Sequence, residues 1–358
     1  MRVVICGGGV IGASLAYFLS LKQAEVVVVE RSGVACAASG KSGGFLALDW
    51  CDGTPLEALA RRSFELHARL ADEIPGDWAY RRLTTYGGVS GWREQRGATQ
   101  RLPWLSDRVS LTQQLGGPET TAQVHPARFT QGLMRAAEAT GAEVRIGAAS
   151  EVLRDTGGGR VRGVMVDGGA IEADAVVIAM GPWSRLAAAW LPLPPVYGLK
   201  GHSLVFDTGD KVPAEALFLE HRDTDGNVAS PEIYPRADGT TYVCAISSES
   251  PVPLDPAGVS PDPGAAERLE AICRELSPVL ARSRILARQA CHRPVTRDGL
   301  PLMGRVPGLE GAYVATGHSV WGILNAPAAG EAMAELILDG AARTVDLAPF
   351  DPGRMPPA

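Results

Sequence analysis

The segment RVVICGGGVIGASLAYFLSLKQAEVVVVE, residues 2–30, decides the fold of this chain. It opens with a short run rich in β-branched apolar side chains, which predicts a buried strand. Glycines follow at positions 7, 9 and 12 in the pattern G-x-G-x-x-G, and apolar residues at helical spacing come directly after them. A second apolar strand, EVVVVE, ends at Glu30. This order of strand, glycine loop, helix and strand predicts a Rossmann-type unit in an α/β fold.

The three glycines predict a site for the pyrophosphate of a dinucleotide. Gly7 permits the tight turn after the strand, and Gly9 lets a pyrophosphate approach the backbone at the helix N-terminus. Free N–H groups and the helix dipole favour an anion there, so Val10 and Ile11 join the predicted contacts. Gly12 lets the helix pack closely against the strand.

The acid at the end of the second strand completes the motif. Glu30 follows Gly12 by 18 residues (30 − 12) and can accept hydrogen bonds from a ribose, with Arg31 beside it. Both FAD and NAD carry such a ribose, so the acid does not separate them. Two further apolar strands run into glycines within residues 173–184 and 311–322. Parallel strands deliver their carboxyl ends to one crevice, so three such exits favour a long, retained cofactor, FAD rather than NAD.

Composition and charge exclude several classes of function. The chain has 358 residues, enough for two domains with cores of their own. A net charge of −6 without a polybasic tract argues against a nucleic-acid binder and against a membrane surface. The six cysteines are scattered, which favours a reduced cytoplasmic setting over disulfides or a metal site. Glycines interrupt the N-terminal apolar run, which argues against a signal peptide. No apolar stretch elsewhere is long enough to predict a membrane span.

Four segments together resemble one family. They are VVICGGGVIGASLAYFLS with the following VVVVERS, SGKSGGFL (residues 39–46), DAVVIAMGPWS (residues 174–184) and the C-terminal segment CHRPVTRDGLPLMGRVPGLEGAYVATGHSVWGILNAPAAGEAMAELI (residues 291–337). The chain resembles the D-amino-acid oxidase superfamily of FAD enzymes over most of its length. The C-terminal segment is the most specific, and it is closer to glycine oxidase than to sarcosine oxidase.

The resemblance implies three catalytic residues, two at the substrate and one at the flavin. Arg293, just before a proline, would hold the substrate carboxylate, since a guanidinium forks onto a carboxylate with two parallel hydrogen bonds. Tyr234 would face the substrate, and His318 would line the flavin. The alternatives are a surface arginine in a salt bridge, a plain sheet aromatic and an ordinary packed histidine. Val320 and Trp321 depart from the family pattern and leave the substrate's identity open.

The resemblance also implies the manner of cofactor binding. Cys291 falls where monomeric sarcosine oxidases attach their flavin covalently, but glycine oxidase-like members hold FAD non-covalently. We predict non-covalent FAD, with attachment through Cys291 as the minority alternative and a buried small thiol as its ordinary role. The predicted cofactor contacts are Gly7, Gly9, Val10, Ile11, Gly12, Glu30, Arg31, Ser39, Lys41, Ser42, Gly43, Gly44, Val152, Ala179, Gly181, Trp183, Gly317, His318, Ser319, Gly322 and Ile323.

Two domains are expected. Residues 81–125 and 196–290 lack the strand–glycine–helix order and alternate instead, which predicts a substrate domain of α+β type with an antiparallel sheet. The sequence ADG at 237–239 predicts a hairpin turn in that sheet. The FAD-binding domain is then discontinuous, comprising residues 1–80, 126–195 and 291–358. Near its end, Asn325 is predicted to cap a helix that has Pro327 in its first turn.

The resemblance implies an FAD-dependent oxidoreductase for a small amino acid or amine such as glycine, sarcosine or a D-amino acid. Hydride would pass from Cα to flavin N5, leaving an imine that water hydrolyses to an oxo acid, with O2 reduced to H2O2. One alternative is a dehydrogenase that passes electrons to another acceptor. A second is an oxidase of a hydroxy acid or biosynthetic intermediate, and a third is an FAD-binding regulatory protein without turnover.

Overall fold

The computed structural model describes residues 1–91 and 100–358. The strands are, in chain order, β1 (Arg2–Cys6), β2 (Glu25–Glu30), β3 (Phe45–Ala47), β4 (Arg81–Arg82), β5 (Thr84–Ser90), β6 (Val109–Gly116), β7 (Thr121–Gln123), β8 (Glu143–Ile146), β9 (Ala149–Arg154), β10 (Val161–Val166), β11 (Gly169–Glu172), β12 (Ala175–Ile178), β13 (Tyr197–Asp207), β14 (Glu215–Arg222), β15 (Val228–Ala229), β16 (Glu232–Pro235), β17 (Thr240–Ser248), β18 (Arg284–Val295), β19 (Leu302–Arg305) and β20 (Ala312–Thr316). The helices are α1 (Val10–Leu21), α2 (Ala38–Lys41), α3 (Glu57–Glu73), α4 (Pro126–Ala139), α5 (Ala265–Leu276), α6 (Pro278–Arg282) and α7 (Gly322–Leu338). The 3-10 helices are Gly181–Ala189, Pro256–Gly258, Ser319–Trp321, Ala348–Phe350 and Pro352–Arg354.

The first sheet has the strand order β19-β20-β12-β1-β2-β8. Its strands run parallel except β19, which is antiparallel to β20. Both faces are covered, because alternate side chains of β1 belong to different cores. Val3 and Ile5 pack with Leu15 of α1, whereas Val4 packs with Val164 of the small antiparallel sheet β9-β10-β11. The βαβ unit predicted from the N-terminal motif is confirmed.

The second sheet has the order β18-β13-β17-β16-β14-β5-β6, with β15 paired to β14. Its neighbours are antiparallel apart from the parallel pair β14 and β5. Ile233 and Val243 face one side and pack with Leu269 of α5. Their sequence neighbours Tyr234 and Tyr242 face the other side. The predicted hairpin turn joins β16 to β17, so the expected antiparallel sheet of the α+β part is confirmed.

The start of the last long helix differs from its prediction. Helix α7 begins at Gly322, so Asn325 is not its N-cap and Pro327 lies inside it. A proline there has no N–H for the carbonyl of Ile323, four residues earlier. Instead, His67 of α3 places its Nε2 atom 2.9 Å from Ile323 O and 3.2 Å from Leu324 O. The prediction was wrong because a distant helix completes the hydrogen bonding that the proline removes.

Two searches of the described residues bear on function. No helix among them combines the length and apolar character needed to cross a membrane. Within the same ranges, no group of three or more histidine, cysteine, aspartate or glutamate side chains is placed to hold a metal ion. The free cysteines are Cys6, Cys36, Cys51, Cys244, Cys273 and Cys291.

Candidate active site

The three predicted strand exits meet at one cavity. Gly7 follows β1, Ala179 follows β12 and Gly317 follows β20, and these three strands are neighbours in the first sheet. The cavity has a volume of about 360 Å³ and is closed on its other side by the second sheet. The predicted site residues in its wall are Gly7, Gly9, Val10, Ile11, Glu30, Arg31, Ser39, Ser42, Gly43, Gly44, Ala179, Gly181, Trp183, Tyr234, Arg293, Gly317, His318, Ser319, Gly322 and Ile323.

Three predicted contacts lie outside the cavity wall. Gly12 sits behind it, where a Cβ atom would come 2.0 Å from the carbonyl oxygen of Gly7, which agrees with the packing role expected of this glycine. Lys41 turns its carbonyl oxygen to Gln289, whose Nε2 donates to it at 3.1 Å. Val152 lies on β9, and its side chain is buried in the core between the first sheet and the small sheet β9-β10-β11.

The glycine loop forms a cradle at the start of α1. Gly7 has φ +120°, and a Cβ atom there would lie 2.3 Å from the carbonyl oxygen of Ala179. The hydroxyl of Ser39 accepts a hydrogen bond from the Val10 N–H at 2.8 Å, so α2 is tied to the first turn of α1. A backbone without side chains beside a helix N-terminus suits an anion such as a pyrophosphate.

Glu30 is fixed in position next to this cradle. Its Oε2 accepts from the Gly8 N–H at 2.7 Å, and its Oε1 accepts from the Ser32 N–H at 3.0 Å. Two backbone donors leave further lone pairs on the carboxylate for the hydroxyls of a ribose. Burial raises the pKa of the nearby Cys36 thiol to about 11, so this cysteine stays protonated at neutral pH.

The C-terminal loop supplies a buried histidine without partners. The side chain of His318 is 3% exposed, and neither ring nitrogen has a hydrogen-bond partner among the described residues. Burial lowers its pKa to about 4, which keeps the ring neutral. Buried polar atoms of this kind fit a bound group that brings hydrogen-bonding atoms of its own. Together with the glycine cradle and Glu30, they fit the FAD that the sequence predicts.

Arg293 reaches the cavity from β18. Its side chain lies over Gly201 of the neighbouring strand β13, where a Cβ atom would come 3.1 Å from Nη2. Its Nη1 donates to the Ser247 hydroxyl at 3.1 Å. In the part of the chain that the structure describes, Arg293 forms no ion pair with an acidic side chain. A half-buried guanidinium with no carboxylate ion-pair partner among the described residues is therefore presented to the cavity.

Tyr234 is held rigidly rather than left free. Its hydroxyl donates to Glu232 Oε2 at 2.6 Å, and its ring stacks on Phe45 with centroids 5.4 Å apart. Burial, and then the carboxylate of Glu232, raise the pKa of Tyr234 well above its usual value. Phe45, Trp50, Phe218 and Tyr234 all line the cavity, and we call these four the aromatic wall.

Sequence reasoning missed an acid in this cavity. Glu232 lies in the wall beside Tyr234 and two residues before it on β16. The period of two along a strand puts both side chains on one face, so that signal was available once Tyr234 was placed at the substrate. The same period puts Cys291 on the face of Arg293, where burial raises the pKa of its thiol.

The comparisons with known proteins agree with this geometry. The family model described as "DAO: FAD dependent oxidoreductase" matches residues 2–336. A protein of Schizosaccharomyces pombe named as an oxidoreductase is 28% identical over 380 residues, which cover 98% of this chain and 97% of that protein. Glycine oxidase of Pseudomonas aeruginosa is 29% identical over 384 residues, which cover 99% of each chain.

Among solved structures, the crystal structure of glycine oxidase from Geobacillus kaustophilus has a TM-score of 0.81 to this chain. The sequence identity is 27%, and 99% of both chains is covered. The family match spans nearly the whole chain, and the cavity has the cradle, acid and histidine that suit the cofactor in the family's description. This protein therefore belongs to the DAO family of FAD-dependent oxidoreductases.

Proposed function

We propose that this enzyme oxidises a small amino acid or amine that carries a carboxylate. The observation that carries the proposal is the Arg293 guanidinium, which faces the cavity and lacks an acidic partner among the described residues. The carboxylate of a substrate would supply that partner through two parallel hydrogen bonds. Two of the relatives described above are glycine oxidases, which supports a small amino acid as the substrate.

The cofactor is proposed to lie along the predicted contacts. The pyrophosphate would sit at the N-terminus of α1, where Gly7 and Gly9 leave the backbone open. A ribose would be held by Glu30, and the unpartnered ring nitrogens of His318 would bond to the flavin side. Non-covalent binding is proposed, because burial keeps the Cys291 thiol protonated and so a poor nucleophile.

The chain's own residues bind the substrate, orient it and exclude water. FAD, when bound, supplies the two-electron oxidation of the substrate. Arg293 fixes the carboxylate end, and this orients Cα towards the opposite wall of the cavity. The aromatic wall excludes bulk water from the reacting carbon. Loss of a proton from nitrogen and of hydride from Cα leaves an imine, which water then hydrolyses to an oxo acid and ammonia or an amine.

Oxygen is the proposed electron acceptor, with peroxide as the second product. A dehydrogenase with another acceptor, an oxidase of a hydroxy acid or biosynthetic intermediate, and an FAD-binding protein without turnover are the rival functions. Persistence of reduced flavin in air would favour the dehydrogenase. Bleaching by hydroxy acids but not by amino acids would favour the second rival, and no bleaching at full FAD occupancy would favour the third.

The test is an anaerobic screen in which amino acids and N-methyl amino acids are mixed with the FAD-loaded enzyme and flavin bleaching is followed. In Arg293→Ala we expect FAD to stay bound, while kcat/KM for carboxylated substrates falls by a factor that corresponds to about 2–5 kcal/mol of lost stabilisation. Arg288→Ala is the matched control, since Arg288 lies on the same strand but pairs with Glu270 at 2.9 Å. Kinetics unchanged in Arg293→Ala would remove the carboxylate clamp from the proposal.

The domain organisation remains a proposal as well. We assign residues 1–80, 126–195 and the C-terminal segment to the FAD-binding domain, and 81–125 with 196–290 to the substrate domain. Because β18 pairs with β13 as far as Val295, we move the last boundary from 291 to the end of that strand. A cytoplasmic location also stays a prediction, which cell fractionation tests.

A further inference from the structure

The cavity contains a carboxylate that the proposed mechanism does not use. Glu232 is half-buried on β16 and lines the cavity. Its Oε2 accepts from the Tyr234 hydroxyl at 2.6 Å and from the Cys244 thiol at 3.4 Å. No ion pair joins Glu232 to a basic side chain of the described residues, and no described residue donates a hydrogen bond to its Oε1. The carboxylate is thus oriented by two neutral donors, and no basic side chain of the described residues forms a direct ion pair with it.

The position of this acid relative to Arg293 follows from the sheet. Strands β13 and β17 separate β18, which carries Arg293, from β16. The arginine side chain crosses β13 over Gly201 and reaches Ser247 on β17, which brings its guanidinium to the strand next to Glu232. Glu232 pairs with Cys244 on β17, so the two charges are separated by the spacing of neighbouring strands, roughly 4.8 Å, together with the offset along β17 between Cys244 and Ser247.

The electrostatics of Arg293 agree with this placement. Burial lowers the pKa of its guanidinium, but interaction with Cys244, Tyr242 and Glu232 raises it by more. The acid and the base therefore lie within electrostatic reach of each other without forming a direct ion pair. Charges desolvated in a cavity are costly when unpaired, and a ligand that carries both opposite charges would pair each of them.

On the basis of the proposed function, we propose that Glu232 binds the ammonium group of the substrate while Arg293 binds its carboxylate. The site then selects a zwitterion, that is, an amino acid rather than a hydroxy acid or a plain carboxylic acid. Tyr234 and Cys244 are positioning residues that hold Oε2, so Oε1 is the atom offered to the ammonium. A plain acid would instead place its carboxylate near the Glu232 charge and be repelled by it.

The experiment compares two ligands that cannot be oxidised to an imine, because the first lacks a Cα–H and the second lacks an amino group. They are 2-aminoisobutyrate, which has both charges, and isobutyrate, which has only the carboxylate. Each is titrated into the FAD-loaded enzyme, and the change in the flavin absorption spectrum gives its Kd. The variant is Glu232→Gln, which keeps an acceptor for Tyr234 and removes the charge. Glu220→Gln on β14, an exposed acid, is the control for net charge.

We expect Glu232→Gln to weaken 2-aminoisobutyrate by roughly tenfold or more, the loss typical of unpairing a desolvated charge. Isobutyrate should bind this variant as well as the wild type or better. Equal loss of both ligands, or unchanged affinity for 2-aminoisobutyrate, overturns the inference. Arg293→Gln separates the two proposals, because it should weaken both ligands. If it leaves isobutyrate unaffected, the carboxylate clamp and the zwitterion site fall together, whereas failure of Glu232→Gln alone leaves the clamp intact.

Discussion

Removal of the His67 imidazole should loosen α7 through the proline inside that helix. Pro327 cannot donate to Ile323 O, and His67 Nε2 lies 2.9 Å from that oxygen. In the same turn the Ala328 N–H donates to Ser63 Oγ at 2.9 Å, a second contact between α3 and this part of α7. His67→Leu leaves a buried carbonyl without a donor, which costs about 1–3 kcal/mol of unfolding free energy.

A double-mutant cycle isolates this effect. Pro327→Ala restores an N–H that can bond to Ile323 O within the helix, so His67→Leu should cost about 1–2 kcal/mol less in the Pro327→Ala background, a coupling typical of groups in one network. The lost contact between the His67 and Phe129 rings, whose centroids are 4.6 Å apart, occurs in both backgrounds and cancels in the cycle. Urea unfolding of the wild type, both single variants and the double variant, all saturated with FAD, supplies the four free energies.

The cofactor gives a second readout of the same cycle. Gly322 and Ile323, in the first turn of α7, line the cavity, so a loosened turn should release FAD faster. Flavin fluorescence after dilution measures that rate. Free energies for the two substitutions that add to within about 0.5 kcal/mol would refute the reasoning, since independent sites behave in that way.

Three further predictions concern the cavity and the response to acid. Gly201→Val should displace the Arg293 guanidinium, because Nη2 lies 3.1 Å from the position of the new Cβ. We expect kcat/KM to fall about tenfold to a hundredfold with FAD content unchanged. Unchanged kinetics would show that Arg293 can reach the substrate without crossing over residue 201. Burial lowers the pKa values of His67 and His318 to about 4, so both rings are neutral in the folded protein at pH 7. Because the unfolded chain binds more protons below about pH 6.5, the free energy of unfolding should fall as the pH falls from 6.5 towards 4. Urea titrations measure this free energy, and a flat profile would contradict the burial of these histidines as neutral rings. Acid precipitation of the wild type and of Cys291→Ser should leave FAD in the supernatant of both, and a yellow pellet from the wild type alone would establish covalent attachment.

The parts of the structure that sequence predicts well are those encoded locally. The Rossmann-type unit follows from residues 2–30, because the glycine spacing, the helical period and the strand-end acid lie within one short segment. The meeting of Gly7, Ala179 and Gly317 at one cavity follows from a general rule of parallel sheets. The roles of these residues towards FAD and substrate stay predictions.

The parts that sequence did not predict depend on contacts between distant segments. Asn325 has the chemistry of an N-cap, but the partner that lets α7 begin earlier is His67, which is 256 positions before Ile323. Val152 matches a predicted cofactor contact, yet the packing of β9 on β10 turns it into the core. Glu232 was not predicted as a site residue because an acid on a strand is usually solvated, and only the position of β16 over the cavity gives it another role.

The alternation of side chains in the second sheet has a consequence for how such an enzyme can be altered. Ile233 and Val243 anchor the sheet to α5, while their immediate neighbours Glu232 and Tyr242 face the cavity. Neighbouring positions in the sequence therefore serve different functions, one in the packing of the sheet and the next in the lining of the cavity. A directed-evolution library confined to the cavity-facing positions of β16 and β17 would vary which substrates are accepted. The positions that pack against α5 would stay unchanged and preserve the melting temperature. New substrate specificities can then be selected without first adding stabilising substitutions.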